Sequence, residues 1–333
     1  MARGHGAAEL AAARQPTRSA APSPACVGRP RAAGPGWTHA IGSASTLTVR
    51  PETRVLLAGC LFASGGALLK CCDFPALQRA GLRAAIAALA VFALLPEARR
   101  WPNARILRLL PAYFGATCLF VVANALTTAA NAIFLQSTAP LWLALLSPLL
   151  VREPPSRRDL VTLVAIGVGM ALCCLAPTTV VATAPNPTLG NLMALGSGIS
   201  FAALLLGMRR LGQQAPGEAC AAIAWGNVAT FPAAFALLPV VGQVPIPGSA
   251  GDWLAILVLG VFQVGAAYAL LVRAMPRVPA VRASLLLMVE PALNPLLAYA
   301  VHGETPHGLV VAGGALILGA TLLSVALQRS QAR

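Results

Sequence analysis

Of the ten acidic residues in this 333-residue chain, Glu290 alone lies inside a long apolar stretch; the others sit in polar connections, in the N-terminal tail or at the ends of apolar runs. A carboxylate in the middle of a hydrocarbon-spanning helix costs at least about 2.5–3.5 kcal/mol on insertion scales, so it must face a protein interior and find a partner. Two chemistries suit it. As a functional group it would exchange protons or contact a substrate. As a structural one it would stay protonated or hydrogen-bonded and brace its own helix. Arg83, in Arg79-Ala80-Gly81-Leu82-Arg83, poses the same question with the opposite sign. It could bind an anionic group, pair with Glu290, or turn its long stem outward to the membrane interface.

Pro140 and Pro291 interrupt two further apolar runs. A proline inside a helix removes one hydrogen bond and frees the carbonyl four residues back, here at Gln136 and Leu287. In lipid such carbonyls must be satisfied inside the protein or at a wet cavity. Around the two prolines stand Asn131, Gln136, Ser137, Thr138 and Trp142, then Ser284, Asn294 and Tyr299, with Gln263 and Tyr268 on a neighbouring run. Taken singly, each suits hydrogen-bonded helix packing at least as well as a pathway. Clustered at two related kinks, they read as a polar wall. The candidate pathway residues are Arg83, Asn131, Gln136, Thr138, Pro140, Trp142, Gln263, Tyr268, Glu290, Pro291 and Asn294.

Other chemistries find little support. The sequence has no Gly-x-Ser-x-Gly elbow, no His-Glu-x-x-His and no Gly-Lys-Ser/Thr phosphate loop, so neither an intramembrane enzyme nor ATP hydrolysis is expected. His302, Glu304 and His307 share one connection without an established ligand spacing, and no metal or cofactor is expected. The net charge of +14 comes from Arg, with Lys70 the only lysine. It forms no basic face with interleaved aromatics, which argues against a nucleic-acid partner. The eight cysteines are scattered and mostly apolar in setting. A disulfide between the Cys71/Cys72 and Cys173/Cys174 regions is one admissible pairing, both regions being placed at the outer face.

The elements that must position these residues are membrane helices. With 57% hydrophobic and 10% charged residues and a mean hydropathy of +0.74, the chain has too little charge to cover a soluble surface. Apolar runs of hydrocarbon-spanning length recur, at about 55–72, 80–96, 107–125, 128–150, 160–176, 188–208, 219–240, 252–272, 279–301 and 308–327. Residues 1–54 carry seven Arg, two Glu and no apolar run, and read as a disordered basic tail. A start at Val49 would make residues 1–48 an artefact of start-site choice.

Arginines cluster in alternate connections: 97–108, 151–159, 209–218, 273–282 and the C-terminal tail, whereas 126–127, 177–187, 241–251 and 302–307 are nearly free of them. That alternation predicts an even number of spans with both termini cytoplasmic. The first outer loop breaks the pattern with Lys70 and Arg79, the latter able to snorkel.

An internal repeat gives the spans meaning. An offset of 151 residues sets Pro140 on Pro291, and with it Ala129 on Ala280, Ala132 on Ala283, Leu135 on Leu286, Leu145-Leu146 on Leu296-Leu297 and Glu153 on Glu304. The matches join the fourth and ninth runs, the same place in two five-helix halves. Five is odd, so the second half enters the membrane from the opposite side. The fold class expected is all-α integral membrane, ten transmembrane helices as two inverted five-helix repeats at 55–176 and 188–327.

In the run Leu126-Thr127-Thr128-Ala129-Ala130-Asn131-Ala132-Ile133-Phe134-Leu135-Gln136-Ser137-Thr138-Ala139-Pro140, and in Glu290-Pro291 followed by Gly303-Glu304, the sequence resembles the EamA type of the drug/metabolite transporter superfamily. The likeness covers about 55–327, one EamA domain in each half. It departs at Arg152-Glu153, where the fourth span of the family usually ends in Gly-Glu. The resemblance implies a ten-helix transporter of small metabolites, often an exporter, and an arginine at the place of Arg83. The expected protein is a secondary transporter in the cell (inner) membrane, moving amino acids or related compounds by alternating access. Its partners would be a small-molecule substrate, the lipid bilayer and protons through Glu290, and it could pair into a homodimer. A channel or facilitator is the alternative, an intramembrane enzyme a weaker one.

Overall fold

The computed structural model describes residues 49–127, 129–175, 185–302 and 308–331. Those residues form helices and contain no strand. In chain order we number them α1 (Pro51–Lys70), α2 (Ala76–Leu94), α3 (Ala104–Leu126), α4 (Ala129–Gln136), α5 (Ala139–Leu150), α6 (Arg157–Leu175), α7 (Pro187–Gln214), α8 (Pro216–Leu237), α9 (Ala250–Ala274), α10 (Ala280–Leu287), α11 (Val289–His302) and α12 (Gly308–Gln331). Seven stretches among the described residues are long and apolar enough to cross a membrane, and they fall on α1, α2, α3, α4–α5, α7, α8 and α9. The other three expected spans coincide with α6, α10–α11 and α12.

Local sequence accounts for the helix starts. Pro51, Pro187 and Pro216 stand in the first turns of α1, α7 and α8, where a missing N–H is harmless. Asn103 caps α3 by accepting from the N–H groups of Arg105 and Ile106, and Ser249 with Asp252 forms a capping box on α9. Helix α1 begins at Pro51, inside the stretch read from sequence as tail. Large apolar side chains such as Leu89, Leu149, Val161 and Leu175 point outward and are mostly exposed, as suits a lipid-facing exterior. Inside, Ala80, Ala84, Ala87 and Ala88 of α2 are buried, and small residues there let α2 and α8 approach closely.

The two halves repeat each other down to their irregularities. Numbering α1–α6 and α7–α12 in parallel, the third member of each half carries a π-helical segment, Gly115–Leu119 in α3 and Leu259–Ala266 in α9. The next is broken in two, at Ser137-Thr138 between α4 and α5 and at Met288 between α10 and α11. Packing follows the same rule. Helix α2 lies on α8 and α6 on α12; α1 packs on α11, α9 and α10, while α7 packs on α5, α3 and α4. Each of these contacts thus has its counterpart with the halves exchanged.

The fourth run was expected as a single kinked helix over 128–150, and here the structure differs. Pro140 lies in the opening turn of a new helix, α5, so the chain breaks rather than bends. Side-chain hydroxyls stabilise the break: Ser137 Oγ donates to the Ile133 carbonyl at 2.6 Å and Thr138 Oγ1 to that of Leu135 at 2.7 Å. Arg79 does not snorkel. From the first turn of α2 its guanidinium turns back to the carbonyls of Leu69 (2.7 Å) and Cys72 (3.3 Å), closing the C-terminal end of α1. Of the admissible disulfide between the Cys71/Cys72 and Cys173/Cys174 regions, Cys72 takes no part, since it is a buried free thiol. The side chains of Cys173 and Cys174 lie outside the described residues, as does the candidate metal-ligand group at 302–307.

Arg152 adopts a left-handed backbone, φ 56°. That conformation costs a residue with a Cβ about 1–2 kcal/mol. Replacing Arg152 with Gly is therefore expected to raise stability by about 1 kcal/mol, read as a higher thermal midpoint in detergent. An unchanged or lower midpoint would contradict the assigned strain.

Candidate functional site

The irregular segments converge on one small cavity of about 40 Å³, lined by Phe62 of α1, Arg83 of α2, Ala116, Thr117 and Phe120 of α3, Gln136 of α4, Phe201 of α7, Gln263, Val264 and Tyr268 of α9, and Glu290 of α11. Both halves contribute. Two glycines permit the close approach that shapes it. A Cβ on Gly260 would stand 2.7 Å from Ile86 Cβ and 3.0 Å from the Arg83 carbonyl, so α9 can lean on α2 only as glycine there. A Cβ on Gly198 would stand 2.8 Å from the Gln136 carbonyl, so α7 crosses directly over the end of α4.

Arg83 is 4% exposed, and its side chain spans from α2 to both π segments. Its Nη1 donates to Gln263 Oε1 of α9 at 3.3 Å, and its Nη2 to the Thr117 carbonyl of α3 at 3.5 Å. Outward snorkelling is thereby excluded. Both bonds are long, and they occupy two of the five N–H groups of the guanidinium, which leaves donors to spare for an anionic group. No ion pair joins Arg83 to Glu290 among the described residues, although both line the cavity.

Glu290 stands in the first turn of α11. The break after α10 therefore places it at a helix N-terminus, where the backbone dipole and unpaired N–H groups favour negative charge. A continuous helix would have offered no such support. Gln136 closes the opposite wall: its Nε2 donates to Ser197 Oγ at 2.8 Å and to the Ala116 carbonyl at 3.2 Å, and Ser197 Oγ donates to the same carbonyl. Aromatic rings form another side. Phe62 meets Tyr268 edge to face at 5.1 Å, and Tyr113 lies 5.3 Å from Tyr268 with its hydroxyl buried and unpaired.

Of the eleven residues expected from sequence, Arg83, Gln136, Gln263, Tyr268 and Glu290 line this cavity. Thr138 and Trp142 do not; Trp142 Nε1 donates to Thr138 Oγ1 at 3.2 Å, and the pair serves the helix break. Pro140 and Pro291 are buried in the first turns of α5 and α11, shaping the breaks without facing the cavity. Asn294 is buried against α1, its side-chain amide filling the space beside Gly66. The side chain of Asn131 lies outside the described residues. Phe62, Thr117, Phe120 and Phe201 escaped sequence reasoning, because one phenylalanine among ten carries no signal of its own.

Both ends of the bundle are fastened across the halves. At the end carrying the basic connections, Arg209 of α7 is 8% exposed; its Nη2 donates to Glu153 Oε1 at 2.6 Å and its Nε at 3.0 Å, while its Nη1 donates to the Met275 carbonyl at 2.9 Å and also to that of Pro276. At the other end Gln78 exchanges two bonds with the Ile246 backbone, at 2.7 and 2.9 Å, and the Asp73 N–H donates to Asp252. Phe74 meets Trp253 edge to face above them. Sequence reasoning read Arg209 only as a topology charge and Glu153 only as a repeat marker.

Comparisons with known proteins agree with this architecture. The model of the EamA-like transporter family matches residues 53–175 and again 188–326. Solved structures share the fold; one, described only as a crystal structure of a protein, is 20% identical with a TM-score of 0.69, the match covering 85% of this chain and 99% of that one. No curated protein sequence matches the chain.

Proposed function

We propose that this chain, which belongs to the EamA-like transporter family and is a multi-pass membrane transporter, is a secondary carrier that exports a small zwitterionic metabolite, an amino acid or a related compound, by alternating access. The observation that carries this reading is Arg83 and Glu290 lining one cavity without pairing with each other. A substrate carboxylate would take the spare donors of Arg83, a substrate ammonium would face Glu290, and Phe62, Phe120 and Phe201 would cover the side chain.

In this reading the chain crosses the membrane ten times, with α4–α5 and α10–α11 each counting as one broken span and the halves inverted about an axis in the membrane plane. Contacts support it: the arginine-bearing connections touch one another, as in Arg209–Glu153 and Arg105–Glu218, and the arginine-poor ones touch one another, as in the Asn186 N–H on the Leu126 carbonyl at 3.1 Å. The basic side is assigned to the cytoplasm of an inner membrane, with both termini there. A channel is disfavoured because cross-half contacts fasten both ends of the bundle around the cavity.

The test is flux in proteoliposomes across a panel of neutral amino acids, with and without an imposed pH gradient. Saturable transport whose rate follows the proton gradient is expected. Saturable counterflow indifferent to the gradient would reject proton coupling, and flux without saturation would reject the carrier.

A further inference from the structure

A second cavity, open to the outside and of about 280 Å³, lies away from the first, between α6 and α12, lined chiefly by Arg157, Arg158, Val161, Ala165, Ala320 and Leu323. Farther along, the same helices touch: a Cβ on Gly169 would stand 2.8 Å from the Gly313 carbonyl. The pair therefore splays open toward the start of α6. Val161 and Leu323, 71% and 60% exposed, form apolar walls on the outer face of the bundle, and the arginines stand at one end. Asp159, the neighbouring acid, bonds back to Ser156. It is 5% exposed, and its Oδ2 accepts from the Ser156 hydroxyl at 2.6 Å and from the Ser156 N–H at 3.0 Å.

A cationic head end continuing into an apolar trough on a membrane-facing surface matches one ligand shape, an anionic amphiphile aligned with the bilayer. We propose that this groove binds one anionic phospholipid, with its phosphate at Arg157 and Arg158 and an acyl chain along Val161, Ala165 and Leu323. A second copy of the chain is the poorer occupant. Two-fold pairing through the same groove would bring each arginine pair toward its mate, and like charges at an interface core oppose association. The site is independent of the central cavity and of what that cavity carries.

Native mass spectrometry of the full chain in detergent, titrated with dioleoylphosphatidylglycerol or dioleoylphosphatidylcholine, tests it. Phosphatidylglycerol is expected to be retained with about fivefold or greater preference, since one interfacial arginine contributes about that factor toward anionic lipid. Replacing both arginines, Arg157→Gln with Arg158→Gln, should lower phosphatidylglycerol retention about tenfold and erase the preference. Ala165→Trp keeps both charges but fills the trough; it should lower retention as well, and it carries the test alone if the double variant does not fold. Equal retention of the two lipids, or retention unmoved by the groove substitutions, would overturn the proposal. So would a lipid-free dimer that Ala165→Trp dissociates, which would assign the groove to a second copy.

Discussion

Glu290→Gln is expected to lower transport by about two orders of magnitude while folded protein is recovered in normal yield. That factor corresponds to about 2.7 kcal/mol, within the range of one hydrogen bond to a charged group. The substitution is nearly isosteric, so the first turn of α11 keeps its packing against α1. What is lost is the ability to carry a negative charge at the helix start beside the cavity. Residual flux should no longer respond to a proton gradient, and counterflow should suffer less than gradient-driven transport. Full retention of gradient-driven flux would remove Glu290 from the mechanism and leave it a structural carboxyl.

Glu153→Ala should unfasten the basic end of the bundle. The substitution leaves a guanidinium that is 8% exposed with two carbonyl acceptors and no countercharge. Removing one partner of a buried pair typically costs about 3–5 kcal/mol; because the Glu153 side chain is 25% exposed, about 2–3 kcal/mol is expected. Adding Arg209→Ala to Glu153→Ala should cost little more, and thermal unfolding in detergent of the single and double variants measures this. The access consequence is separate. A cysteine at Thr117, beside the cavity, should react several-fold faster with an impermeant thiol reagent supplied from the basic side when Glu153 is absent. Unchanged reactivity would show that the contact is a brace and not a lock.

Glu290 and Arg83 were legible in the sequence because lone charges in apolar runs are rare and must face inward. The repeat was legible because proline and glutamate recur at a fixed offset. The π segments were not, for neither Gly115–Leu119 nor Leu259–Ala266 contains a proline to announce it. Their effect is large, since Arg83 takes its acceptors from both. The helix break was half legible. Pro140 gave its place, but nothing in its spacing showed that the Ser137 and Thr138 hydroxyls would turn to the Ile133 and Leu135 carbonyls and end the helix there. Arg209 was hidden by its surroundings. Among many loop arginines nothing in composition marks the one whose partners lie far away along the chain: Met275 and Pro276 in its own half, and Glu153 in the other, which meets it only when the halves pack.

Gln78 and Glu218 occupy the same place, near the start of α2 and of α8, and each reaches the approach to the third helix of the opposite half: Gln78 to Ile246, Glu218 to Asn103. One contact is a neutral amide clasp and the other carries charge, reinforced by Arg105 at 3.5 Å. If the halves trade conformations during the cycle, the two thresholds of the passage are built to one plan in different materials. Bulk salt would then act more strongly on the charged threshold than on the amide one, so ionic strength on the basic side would bias which way the empty protein rests.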